Sequence, residues 1–169
     1  MELDQARIAN TAANTKALLA MLDEKQLKYT VEEQTDARAH IRIGFVGNDI
    51  PMTLHIILRT DRQLATVFSP MPFTFPLDRI SEGAEAVTAA NYGLIDGSFD
   101  LDMETGEIRF RLTSSYLGSV LSEELFSYLM FVSAETIDRY NDRFFLLSSG
   151  QLPLADFVRM DAEDRGAVR

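Results

Sequence analysis

The chain has 169 residues, 46% of them hydrophobic and 25% charged, the composition of one globular domain or one domain with a short appendage. It holds no cysteine, which excludes disulfides, iron–sulfur clusters, cysteine-ligated zinc and thiol nucleophiles. A net charge of −10 argues against a generic nucleic-acid binder, which needs surplus Lys and Arg, and no apolar run approaches the roughly 20 residues of a membrane helix.

The first residues, "MELDQARIAN", lack the basic and apolar regions of a secretory signal, so the expected location is the cytoplasm. Residues 5–26 predict a helix, with Ile8, Ala12, Leu18, Leu19 and Leu22 approximating a 3.6-residue stripe. The period then changes to two. "LKYTVEE", "AHIRIGFV", "MTLHIILR" and "QLATVFS" predict an antiparallel meander of four strands, joined by "QTDA", "GNDIP" and "TDR". One face of this meander is apolar and the other largely polar. "SPMPFTFPLD" (69–78) interrupts it, because prolines do not fit a sheet ladder. Its alternating Met71, Phe73 and Phe75 are expected to fold back over the edge of the core rather than lie exposed. A second helix is expected from about Leu77 to Asn91.

"GSFDLDMETGEIRFR" (97–111) spaces Asp100, Asp102 and Glu104 two apart, which invites a calcium or magnesium reading. The glycine of an EF-hand loop is missing at the sixth position from either Asp96 or Asp100. A hairpin explains the pattern better. A turn at Thr105-Gly106 sets Asp102 against Arg109, Asp100 against Arg111, Leu101 against Phe110, Phe99 against Leu112 and Met103 against Ile108. A one-residue slip would set apolar against charged along the whole strand.

After the hairpin, Ser122 is positioned to cap a long helix whose first turn carries Glu123 and Glu124, with Leu121 and Phe126 as a hydrophobic staple. The helix runs to about Leu147. Its first half, "LFSYLMFV", is apolar on most sides, so one side is expected on the sheet and the other against a second chain. Phe126, Met130 and Phe131 are the candidate dimer or partner residues. The tail after Gly150 reads as one short helical turn near Ala155–Met160 and a polar, partly mobile end. The expected order is α-β-β-β-β-α-β-β-α, an α+β fold, with residues 1–150 as one unit and 151–169 as an appendage.

His40, Arg42, His55, Arg59, Arg109 and Arg111 all project from the polar side of the sheet, a local reversal of sign in an acidic protein. They are the candidate partner- or ligand-binding residues, for an anionic or peptide partner. The plainer alternative is a solvated face laced with cross-strand ion pairs. Two histidines without a third ligand make a weak metal site. No nucleophile elbow, P-loop, dinucleotide-binding glycine motif or zinc-protease motif is present.

The order of elements, together with "YTVEE", "SPMPFTFP", "AANYGLIDGSFDLDMETGEIRFR" and "LSEELFSYLMFVSAETIDRYNDRF", resembles the YbjN family over roughly residues 25–150. That family is a bacterial group described as sensory-transduction regulators. The resemblance implies a fold similar to that of type III secretion chaperones, small acidic α+β homodimers that hold segments of secreted proteins. It transfers no site residues. The expectation is a non-enzymatic, protein-binding or chaperone-like regulatory module. It would pair with itself and with an unidentified protein, without cofactor, metal, nucleic acid or membrane. The alternative is a sensor of a small anionic ligand on the polar sheet face.

Overall fold

The structure, a computed structural model, describes residues 4–167. The elements in chain order are α1 (Gln5–Glu24), β1 (Tyr29–Gln34), β2 (Arg38–Phe45), β3 (Met52–Arg59), β4 (Leu64–Thr74), a 3-10 turn (Leu77–Arg79), α2 (Ile80–Gly93), β5 (Ser98–Leu101), β6 (Glu107–Ser115), α3 (Glu123–Ser148) and α4 (Leu154–Ala167). The strands form one antiparallel sheet in the order β1-β2-β3-β4-β6-β5. This is the α+β architecture that the alternating strands predict, with one helix more.

Strict period-two burial builds the sheet. In β2 Ala39, Ile41 and Ile43 are buried, and in β3 Met52, Leu54, Ile56 and Leu58. Ala65, Val67 and Met71 in β4 and Ile108, Phe110 and Leu112 in β6 complete that face. The helices cover it, and the core they enclose is continuous across all the layers. Among the described residues, no helix packs on the opposite face.

Four details depart from the sequence reading. The buried stripe of α1 is Thr11, Asn14, Thr15, Leu18, Met21 and Leu22, while Ala12 is exposed and Ile8 and Leu19 are only half-buried. The polar members are buried because they are fully bonded. Asn14 donates through Nδ2 to the carbonyl of Ser119 (2.9 Å) and accepts at Oδ1 from the N–H of Leu121 (2.9 Å). Gln63 donates through Nε2 to Thr11 Oγ1 (3.2 Å), and the Tyr116 hydroxyl lies 3.0 Å from the same Thr11 oxygen while donating to the carbonyl of Arg59 (2.8 Å). Buried polar groups persist when each finds such a partner.

Strand β4 does not stop at Ser69 but runs through Pro70 and Pro72 to Thr74. β3 pairs with β4 only as far as Phe68, so beyond it β4 has one unpaired side, where a strand tolerates proline. Met71 and Phe75 do enter the core, as the alternation predicts.

The β5–β6 hairpin has the expected faces but a register shifted by two. Asp100 pairs with Arg109, Phe99 with Phe110, Leu101 with Ile108 and Ser98 with Arg111. The connection is longer than two residues. Asp102 accepts at Oδ1 from the N–H groups of Glu104 (2.8 Å) and Thr105 (3.2 Å), and Gly106 sits at φ 75°. A Cβ on Gly106 would come within 2.1 Å of the Phe75 carbonyl oxygen, so the turn requires glycine. Asp102 is therefore a turn former and not the partner of Arg109.

The tail is a full helix, α4, rather than one turn. Phe157 is buried within a cluster of Tyr140 and Phe144, its ring 5.1 Å from that of Phe144. Asp161, also buried, accepts from the Tyr140 hydroxyl at 2.6 Å. Burial and that carboxylate push the Tyr140 hydroxyl far above its ordinary pKa. The N-terminus of α3 follows expectation: Ser122 caps it, accepting from Leu125 N–H at 3.2 Å.

Candidate functional site

The open face of the sheet is ordered by strand pairing. Arg42 lies opposite His55, His55 opposite Phe68, and Phe68 opposite Arg111, so these four form one transverse row over four neighbouring strands. The row begins at Thr30 on β1 and ends at Ser98 on β5. His40 is diagonal to His55, and their rings are joined by a bond between Nε2 of His40 and Nδ1 of His55 at 3.0 Å. One ring nitrogen donates and the other accepts, so at least one of the two imidazoles is neutral. His55 also stacks on Phe68, centroids 4.9 Å apart. Burial, then the charges of His40 and Arg42, hold the His55 pKa below its ordinary value.

Five arginines of this face are drawn to carboxylates. Arg38 pairs with Glu33, Arg42 with Glu32 at 2.6 Å, and Arg59 with Asp61 at 3.1 Å. Arg109 (3.2 Å) and Arg111 (2.8 Å) share Asp100. Burial raises the pKa of Asp100, but the bonds and charges of Arg111 and Arg109 outweigh it and leave the carboxyl below its usual range. Arg62, in the β3–β4 turn, forms no ion pair among the described residues.

Of the six sequence-predicted face residues, the structure brings together His40 with His55, and Arg109 with Arg111. It does not bring Arg42 to Arg111. They are three strand spacings apart, roughly 14 Å, too far to share one small anion. The face holds instead a shallow depression of about 360 Å³. Its rim is Arg59, Arg62, Arg109 and Arg111, and its floor is Ile57, Leu64 and Phe68 with Thr66 and Thr113. Sequence reasoning missed Arg62, Leu64 and Phe68. β4 is apolar on both faces, so alternation alone does not say whether Ala65 and Val67 or Leu64 and Phe68 point outward.

On α3, Phe126 and Met130 are fully buried in the chain's own core and present no surface to a partner. The rotation of the helix places Phe131 outward instead, 47% exposed, beside Tyr128 at 46%. Both line a surface hollow of about 440 Å³ with Val132 and Lys25. A helix apolar on most sides leaves its rotation unresolved in the sequence. Among the described residues, no group of three or more His, Asp or Glu is arranged to hold a metal, and no helix is long and apolar enough to cross a membrane.

Three solved structures share this fold. The crystal structure of YbjN from E. coli, described as "a putative transcription regulator", has a TM-score of 0.54 and 13% identity, covering 73% of this chain and 85% of that one. A chain of the ExsC–ExsE complex has a TM-score of 0.54 at 12% identity, covering 78% and 93%. A chain of the HopA1–SchA chaperone–effector complex has a TM-score of 0.53 at 10% identity, covering 83% and 99%. At such identities the likeness is one of fold, that of the type III secretion chaperones. No curated protein matches the chain in sequence. The family model for YbjN, described as "Putative bacterial sensory transduction regulator", matches residues 14–146, most of the length, and the chain therefore belongs to the YbjN family.

Proposed function

We propose that this chain is a non-enzymatic, protein-binding module of regulatory character, which holds a segment of another protein in the manner of a chaperone. The observation that carries this reading is the sheet itself. Among the described residues the helices lie on one face, and the other offers an extended surface contoured by shallow depressions. The fold shared with chaperone–effector complexes supports the same reading.

A homodimer accompanies it. The exposed Tyr128 and Phe131 on α3 supply the apolar surface for a second copy, since aromatic residues are favoured at interfaces. Light scattering on the purified chain is expected to give twice the mass of one chain; a strict monomer removes the dimer. For the module itself, the 169-residue chain is used to isolate a partner from the cells that make it. The pair is then reconstituted from purified components. A complex of fixed stoichiometry, with hydrogen-exchange protection on the chain, is the expected result. A chain that reconstitutes with no protein overturns the reading.

A further inference from the structure

Within the open face, one region combines charge surplus with exposed apolar surface. Four arginines rim the depression along β4, and only two carboxylates, Asp61 and Asp100, neutralise them. Arg109 and Arg111 share a single one of these, and Arg62 has no ion pair among the described residues. This happens on a chain of net charge −10, where the expected surface is negative. The surplus is confined to one half of the face. Beyond Arg109 the neighbouring depression, about 340 Å³, is lined by Asp100, Asp102 and Glu107.

The spacing is informative. Arg59 on β3 lies opposite Leu64 and Arg111 on β6 lies opposite Phe68, so along β4, which runs between them, the two cationic ends are four residue steps apart. At about 3.3 Å per residue of strand that is roughly 13 Å along the strand direction. Leu64 and Phe68 lie beside the two ends and Ile57, opposite Thr66, lies midway, a half-buried and largely apolar floor open to water. An extended peptide has the same rise and the same alternation. Its residues i and i+4 are also about 13 Å apart, and i, i+2 and i+4 face one way.

The geometry points to this depression as the site that recognises an acidic segment of a partner protein. That segment is extended, with a carboxylate at each end of a five-residue stretch and an aliphatic or aromatic side chain at its centre. The first carboxylate meets Arg59 and Arg62, the second meets Arg109 and Arg111, and the central side chain rests on Ile57 and Thr66, between Leu64 and Phe68. Guanidinium forks suit this role because each presents paired N–H donors to a carboxylate. The native ion pairs on the rim are solvent-exposed and weak, so exchanging Asp61 or Asp100 for a partner's carboxylate costs little. This inference rests on the protein-binding reading above and specifies the chemistry of the partner.

The test is a fluorescence-anisotropy titration of the full chain with a labelled synthetic peptide of core Glu-Ser-Leu-Ser-Glu. Parallel titrations use a core with both Glu changed to Gln, and one with Leu changed to Ser. Saturable binding that weakens as salt rises is expected, with each altered peptide bound at least about tenfold more weakly. The chain carrying Arg62→Glu and Arg111→Gln is expected to lose a similar factor. Arg139→Glu, on the far side of the molecule in α3, is expected to lose none. Circular dichroism and a melting curve establish that each variant is folded. No saturable binding, equal binding of the Gln or Ser peptide, or unchanged binding by the Arg62/Arg111 variant each overturns the proposal. A partner reconstituted as above that binds the Arg62/Arg111 variant as tightly as the native chain overturns this site alone and leaves the protein-binding reading standing. If no partner is reconstituted at all, that reading falls and this inference with it.

Discussion

On β6, Arg109, Phe110 and Arg111 are consecutive, yet they belong to different worlds. Phe110 is fully buried against Phe99, ring centroids 5.2 Å apart, while its two neighbours extend into water and share one carboxylate. The covered face of the sheet is held by burial, which is large and non-directional. The open face is held by exposed ion pairs, each worth little. One face thus fixes the fold, and the other remains free to exchange its contacts. A surface whose internal bonds are cheap to break is one a partner can use.

The sharpest way to break the comparison is to truncate adjacent residues of β6. Phe110→Ala removes a fully buried ring and is expected to cost about 3–5 kcal/mol. Arg111→Ala on the next residue is expected to cost no more than about 1 kcal/mol. Equilibrium urea unfolding of both variants measures the difference. Similar losses from the two would mean that the open face carries the fold as much as the core does.

The buried polar seam of α1 gives the next largest effect. Asn14→Ala leaves the carbonyl of Ser119 and the N–H of Leu121 without their partner. An unsatisfied buried group costs about 1–3 kcal/mol, so this helix residue is expected to behave as part of the covered face although its side chain is polar. A shift in the urea midpoint no larger than that of Arg111→Ala would place it with the surface instead.

These particular residues show where reading the sequence succeeds and where it runs out. Alternation put Arg109 and Arg111 on one face and Phe110 on the other, and the hairpin does so. It did not fix the register, because a shift of two residues preserves every face and changes only the partners. The Asp102 turn, which lengthens the connection, decides that. Thr11, Asn14 and Thr15 fall at helical spacing, but the partners that bind Thr11 and Asn14 to the rest of the fold lie about 50 to 100 residues away in sequence, and Thr15 bonds only back to the Thr11 carbonyl, so no local pattern marks them as buried. The cationic side of the sheet was legible from the strands. The depression was not, since Arg62 comes from a turn and Leu64 and Phe68 from a strand apolar on both faces. On α3 an apolar surround hid the rotation that buries Phe126 and Met130 and exposes Tyr128.

Within the open face, the Asp100 cluster is expected to have a smaller effect than the buried seam. Asp100→Asn removes the shared charge from Arg109 and Arg111, with an expected cost of about 0.2–1 kcal/mol that shrinks as salt rises. The same change raises the cationic surplus on the rim of the depression. The peptide titration is therefore expected to tighten as stability falls slightly. A variant that loses both stability and affinity would show that Asp100 organises the site rather than competing for it.

The smallest effect is the dependence on pH at His55, a side chain of the open face. The ring is half-buried, stacked on Phe68 and bonded to His40. Its pKa in the folded chain lies below the ordinary value of 6.5, chiefly through burial, with the charges of His40 and Arg42 adding to it. The unfolded chain therefore takes up the proton first as pH falls. The stability associated with the neutral ring is fully present above about 6.5 and is lost as pH falls from there through the folded pKa. Urea midpoints measured between pH 7.5 and 5.5 are expected to decline for the native chain and to flatten in His55→Gln. The slope must be read against that variant, because carboxylates such as Asp100 begin to titrate lower down with the same sign. An equal decline in both chains would assign the pH dependence to those carboxylates and leave the histidine pair without a part in it.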